Sequence, residues 1–167
     1  MYLEQMKKVV SLELDKSEYF NNYEFSEDDS MFTINVPLTI AEFNFHILVV
    51  LTDRMEVRVA GVISENIFKQ HTEEIKKLME FFNDNYGEEN LTYTFDDTYI
   101  LCCEIWESSF YHVDDDEYDA KSDLKNLRET ITIASIATLA PVASALRYIV
   151  SKNMTAEEAF IAIQQDN

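Results

Sequence analysis

Glycine is nearly missing from this chain. Only Gly61 and Gly87 occur in 167 residues, where a share of about 7% is usual. Phosphate-cradling loops and dinucleotide fingerprints need clustered glycines, because only a bare backbone can approach the anion closely. None can be built here, so nucleotide-dependent chemistry is not expected. Cysteine is equally sparse. Cys102 and Cys103 are adjacent, a disulfide between neighbours is strained, and two cysteines cannot staple a secreted scaffold. They read as two strand residues pointing to opposite faces, one of them buried. Zinc-type spacing is also lacking. Positive charge is the third scarcity: 13 Lys and Arg face 32 Asp and Glu, a net charge of -19. Such a surface repels nucleic acid and anionic membrane, and no basic stripe offers counterion release.

The charge is uneven. Residues 61–120 hold 16 acids and 3 bases, while residues 121–167 hold 5 of each. With 47% apolar and 13% aromatic residues, the chain can still bury a sizeable core and is no disordered acidic tail. Met1–Lys8 lacks a charged leader followed by an apolar stretch, so a reducing cytoplasm is the expected compartment.

Hydrophobic periodicity predicts the elements. Tyr2, Leu3, Met6, Val9 and Val10 fall at helical spacing. Ser26–Ser30 reads as a turn. Three strands follow with period two: Phe32 to Ile40, Phe43 to Leu51 and Met55 to Val59. Short joins at Ala41-Glu42 and Asp53-Arg54 make them antiparallel. Pro37 cannot donate to a ladder and marks an edge or a bulge. A long helix is expected between Ser64 as N-cap and Gly87 as stop. Its apolar face would be Ile67, Phe68, His71, Ile75, Leu78, Met79 and Phe82. Leu91–Phe95 and Tyr99–Trp106 form a hairpin about Asp96-Asp97. Asp123–Lys152 is helical in composition, kinked or broken at Pro141. Thr155-Ala156-Glu157-Glu158 is a capping box opening a last short helix. The fold class is therefore α+β: a five-stranded antiparallel sheet with a long helix and a C-terminal helical segment. Residues 1–113 carry the sheet, and 114–167 carry an acidic loop and helices that pack on the same domain.

Chemistry is harder to find. The acidic run Asp114, Asp115, Asp116, Glu117 and Asp119 lacks the glycine and terminal Glu of a calcium loop. It reads as a solvated acidic surface, and no metal or cofactor is expected. His46, His71 and His112 do not pair at ligand spacing, and no Gly-x-Ser-x-Gly elbow occurs. The chain is not expected to be an enzyme. Residues 130–146 are uncharged but hydroxyl-rich and shorter than the roughly 20 residues of a membrane span. They form either a small-residue helix packed flat on the chain's own sheet, or one packed on a second copy or a client. On the hairpin, Ile100, Cys102 and Trp106 share a face that is unusually apolar for solvent. Together with Ile133, Ile136 and Leu139 they are the candidate partner-binding residues.

The order of elements over Met31–Ile63, Ser64–Tyr86, Leu91–Trp106 and the helix from Asp123 resembles the type III secretion chaperone-like fold and the related YbjN family. That resemblance implies a homodimer that binds an extended protein segment on apolar grooves, without cofactor or catalytic residues. A competing expectation is an acidic inhibitor that imitates nucleic acid, such as a phage antagonist of a host nucleic-acid-binding or defence protein.

Overall fold

The computed structural model describes Ser11 and residues 24–27, 31–52, 56–88, 91–107 and 137–166. The expected first helix, the turn at 28–30, the acidic run and the helical segment 123–136 lie outside the described residues.

The described chain is α+β, with an antiparallel sheet of six strands and three α-helices. The strands are β1 (Glu24–Glu27), β2 (Met31–Ile40), β3 (Phe43–Thr52), β4 (Glu56–Ser64), β5 (Leu91–Asp96) and β6 (Tyr99–Glu107). Their spatial order is β1-β2-β3-β4-β6-β5. The helices are α1 (Thr72–Tyr86), α2 (Leu139–Lys152) and α3 (Ala156–Gln165). The class agrees with the sequence reading, and the strand count is one higher. Ser26 and Glu27 are not a turn. They belong to β1, which pairs Glu24–Glu27 with Phe32–Asn35. Four residues with one buried-type side chain carry no period-two signal, so the ladder is visible only in three dimensions.

Alternation along the strands builds one apolar face. In register across the sheet run Leu38–Phe45–Ile63–Ile100–Phe95 and Val36–Ile47–Gly61–Cys102–Tyr93. The alternate residues Asn44, His46, Arg58, Thr92 and Thr94 are exposed. The β2–β3 hairpin closes through Ala41 and Glu42, both left-handed (φ 50° and 74°), as the twist of a two-residue hairpin demands. Pro37 sits beyond the end of β1, where β2 has no outer neighbour among the described residues. A residue without an N–H can be accommodated there.

The long helix starts later than its sequence suggests. Ser64 is still in β4, paired with Tyr99. A 3-10 turn (Asn66–Gln70) follows, and α1 begins only after His71. The β-branched Val62 and Ile63 favour the strand, and the ladder to β6 extends it. The expected helix face is otherwise sound: Phe68, Ile75, Leu78, Met79 and Phe82 are buried, and Ile67 and His71 are half-buried. Gly87 does end α1, through amide bonds to Asn83 and Phe82 carbonyls. Its φ of -64° is open to any residue, but a Cβ there would strike the Asn83 carbonyl oxygen.

The sequence expects a kink or a break at Pro141, and α2 begins beside it. Pro141 lies in the first turn of α2, just after a widened π-type turn at residues 137–138. The extra width accommodates a residue that cannot donate to the preceding turn. Thr155 caps α3 as expected. Its hydroxyl accepts from Glu158 N (3.2 Å), and the Glu158 carboxylate accepts from Thr155 N (2.9 Å).

The main helix–sheet contacts are α1 on β5 and α2 on β2, with α3 packed against both helices. Glu74 of α1 joins the layers by accepting from the Ala156 amide at the start of α3 (2.7 Å). Phe160 of α3 stacks on Phe81 (5.6 Å) and meets Phe82 edge-on (5.5 Å). Each such side chain, fully buried, contributes about 1.5–3 kcal/mol.

Helix and sheet approach closely at Gly61. A Cβ there would lie 2.5 Å from a methyl of Leu139. Gly61→Ala is therefore expected to lose about 1–3 kcal/mol by overpacking, and Leu139→Ala about 2–5 kcal/mol by leaving a cavity. In urea melts the Gly61→Ala penalty should shrink when Leu139→Ala is already present. Equal penalties in both backgrounds would show that the two groups do not compete for the same space.

Candidate functional site

The apolar sheet face singled out in the sequence is real, but the chain covers it itself. Ile100, Cys102 and Leu139 are all buried within the core. This corrects their assignment as partner-binding residues. The alternation of β6 does present Ile100 and Cys102 on one apolar face, and α1 and α2 are what lies over that face. For the described part of the small-residue segment the flat-packed arrangement holds: Val142, Ala143, Ala145, Leu146 and Ile149 are buried. Cys102 is buried. Trp106 lies in β6 in register with Val57, and its side chain is outside the described residues. Ile133, Ile136, Asp114, Asp115, Asp116, Glu117 and Asp119 also fall outside them, as does His112.

The remaining histidines do not converge. His46 is exposed on β3, its Nδ1 3.1 Å from Asn35 Oδ1. His71 occupies the junction between the 3-10 turn and α1, where its amide donates to Phe68 and its carbonyl accepts from Ile75. Among the described residues, no group of three or more His, Cys, Asp or Glu side chains is placed to hold a metal ion. No described helix is long and apolar enough to cross a membrane.

One sheet edge is sealed by the chain's own groups. On the outer side of β5, the Asn83 amide both accepts from Tyr93 N and donates to Tyr93 O, each at 2.8 Å. Two residues earlier, Leu91 and Glu88 exchange amide bonds in the same way (3.1 Å each). A side-chain amide thus occupies the place a neighbouring strand would take. No linear motif announces this, because Asn83 and Tyr93 are ten residues apart and on different elements.

Two surface features remain. The first is a pair of exposed apolar side chains on α1 and α3. Tyr86 and Ile161 are 42% and 45% exposed, and the Tyr86 ring lies 6.0 Å from Phe160, which itself stacks on half-buried Phe81. Exposed Glu80, Asp84 and Glu157 accompany it. The second is a cleft of about 350 Å3 where the Ala41-Glu42 turn meets the C-terminal half of α2. Ser144, Arg147, Tyr148, Ser151 and Lys152 line its helical wall, and Asp166 closes it. Arg147 reaches to within 3.7 Å of Glu42. The spacing of Ser144, Arg147, Tyr148 and Ser151 at i, i+3, i+4 and i+7 is the one sequence signal that could have grouped them.

No family model matches the chain, and no curated protein and no solved structure matches it either.

Two outcomes follow from these contacts. Asn83→Ala removes two hydrogen bonds and should cost about 1–2 kcal/mol, with faster amide exchange at Tyr93; unchanged exchange there would show that the clamp does not protect the edge. Tyr148 donates its hydroxyl to Asp166 at 2.7 Å. That bond, then the Asp166 charge, then partial desolvation hold the phenol above its ordinary value of 10.0, with Arg147 opposing. The fold favours the neutral phenol, so the contribution is complete below pH 10 and is lost as pH rises through the raised native value. Carbon-13 titration of Tyr148 should show a midpoint that falls in Asp166→Asn.

Proposed function

We propose that this chain is a non-enzymatic protein-binding module, chaperone-like or adaptor in type, acting as a homodimer on a protein partner in the cytoplasm. The observation that carries the reading is that Tyr86 of α1 and Ile161 of α3 stand exposed, one packed beside Phe160 and the other next to it in the chain. Large apolar side chains left in water on packed helices fit an interaction surface. They sit on two helices fixed by Phe160 and by the Glu74–Ala156 bond, so the surface is rigid before a partner arrives. The surrounding carboxylates keep an otherwise adhesive protein dispersed. The described order β2-β3-β4, α1, β5-β6, α2 is compatible with the resemblance to the secretion-chaperone and YbjN folds.

A second reading, an acidic antagonist that imitates nucleic acid, is favoured by one observation. Glu73, Glu80 and Asp84 are exposed along α1, at i, i+7 and i+11. With a rise of 1.5 Å per residue, Glu80 and Asp84 stand about 6 Å apart along a rigid axis.

Salt and mutation separate the two. Affinity capture from the source lysate is expected to retain the partner at about 0.5 M salt, where screening leaves only a few Å of electrostatic reach. Capture should drop roughly tenfold for Ile161→Ser with Tyr86→Ser, since about 1.4 kcal/mol of lost apolar burial is tenfold. Loss of the partner in salt, together with loss on Glu80→Lys and Asp84→Lys, would instead establish the acidic reading. Sedimentation of the purified chain tests the homodimer.

A further inference from the structure

We infer that the surface carried by α1 and α3 docks a basic amphipathic segment of a partner protein. The apolar side chains of that segment cover Tyr86 and Ile161, and its lysines or arginines meet Glu80, Asp84 and Glu157. The inference rests on the protein-binding reading and adds the chemistry of the partner.

Cations are missing where these apolar side chains stand exposed. Leu78 to Asp97 takes in the last turns of α1 and all of β5, with six acids and no Lys or Arg. Asn153 to Asn167 takes in α3, with three acids and no Lys or Arg. Glu80, Asp84, Glu88 and Glu157 are exposed among them. The last cation of α1, Lys77, stands 3.5 Å from Glu74. Arg147 and Lys152 of α2 line the cleft at the β2–β3 turn. Glu80 and Asp84 are separated by about 6 Å along the helix axis, within a Debye length of about 8 Å, so their potentials add. A negative field of this kind selects a positive partner and speeds its arrival.

Charge alone would suit any polycation, and the apolar residues narrow the choice. Tyr86 and Ile161 keep close to half of their surface in water. The Tyr86 ring packs beside Phe82 (5.7 Å) and Phe160 (6.0 Å). Ile161 follows Phe160, whose ring stacks on Phe81 and meets Phe82 edge-on. The Glu74 acceptor at the Ala156 amide fixes where α3 starts. The two helices are thus locked together before a partner arrives, which lowers the entropic cost of association. An exposed tyrosine ring also takes a cation over its face. A segment with leucine-type side chains on one side and lysine or arginine on the other meets both demands.

The test is an NMR titration of the full chain at about 0.15 M salt with three short synthetic peptides. One is a Lys/Leu peptide of helical period, the second a Glu/Leu peptide of the same pattern, the third a Lys/Ser peptide of the same positive charge. Saturable shifts at residues 80–88 and 157–165 with Lys/Leu, and binding about tenfold weaker or less with either counterpart, are the expected result. Tyr86→Ser with Ile161→Ser should weaken Lys/Leu binding about tenfold. Glu80→Gln, Asp84→Asn and Glu157→Gln together should weaken it by about the same factor. Both variants are compared in chains whose amide spectra remain those of the folded protein. Equal binding of the Lys/Ser peptide would overturn the inference in favour of the acidic reading. Equal binding of the Glu/Leu peptide would overturn the basic partner and leave the protein-binding reading standing. Binding of none of the three would also overturn the inference, and lysate capture that still depended on Tyr86 and Ile161 would then show that the protein-binding reading holds without it.

Discussion

The described fold depends on how closely one helix can come to the sheet. At Gly61 the sheet has no side chain, and Leu139 occupies the vacancy. That single contact seats the first turn of α2 on the middle of the sheet, between Ile47 and Cys102 in the same cross-strand row. Once α2 is seated, α3 can bridge it to α1, and the Glu74–Ala156 bond fixes where α3 begins. The buried side chains of β2, β3 and β4 then join those of the helices in one core. A larger residue at position 61 would lift α2 and loosen all three layers together.

This closeness also explains why an apolar sheet face is a poor guide to a partner. Period-two alternation shows that a strand has a face in need of cover. It does not show whether the cover comes from the same chain. For Ile100 and Cys102 it does, and α1 and α2 supply it. The surfaces left over are less conspicuous in sequence. The exposed Tyr86 and Ile161 lie on different helices and come near each other in the fold only through Phe160. The cleft joins a hairpin turn, one face of α2 and Asp166 near the end of the chain.

What the sequence made legible is what depends on local periodicity and local capping. The strands β2 and β3, the apolar face of α1, the β5–β6 hairpin and the Thr155 capping box were all readable from neighbours within a turn or a pleat. The start of α1 was not, because the ladder between Ser64 and Tyr99 outcompetes the capping tendency of a serine. Strand β1 was hidden because pairing with β2 supplies its order, not its own composition. At Pro141, expected as a kink or a break, a widened turn at residues 137–138 precedes the first turn of α2. The candidate site was barely legible: Arg147 and Lys152 were visible as cations, but nothing local links them to Glu42.

The Asn83 clamp on β5 has a consequence for how copies of this protein can meet. With that flank occupied from within, the other edge among the described residues is that of β1 and the far end of β2, where Pro37 already narrows the opportunity for joining through strands. Two molecules meeting there, edge to edge, would exhaust their reactive sides in one encounter. The result is a closed pair, with no free end from which a fibre could grow.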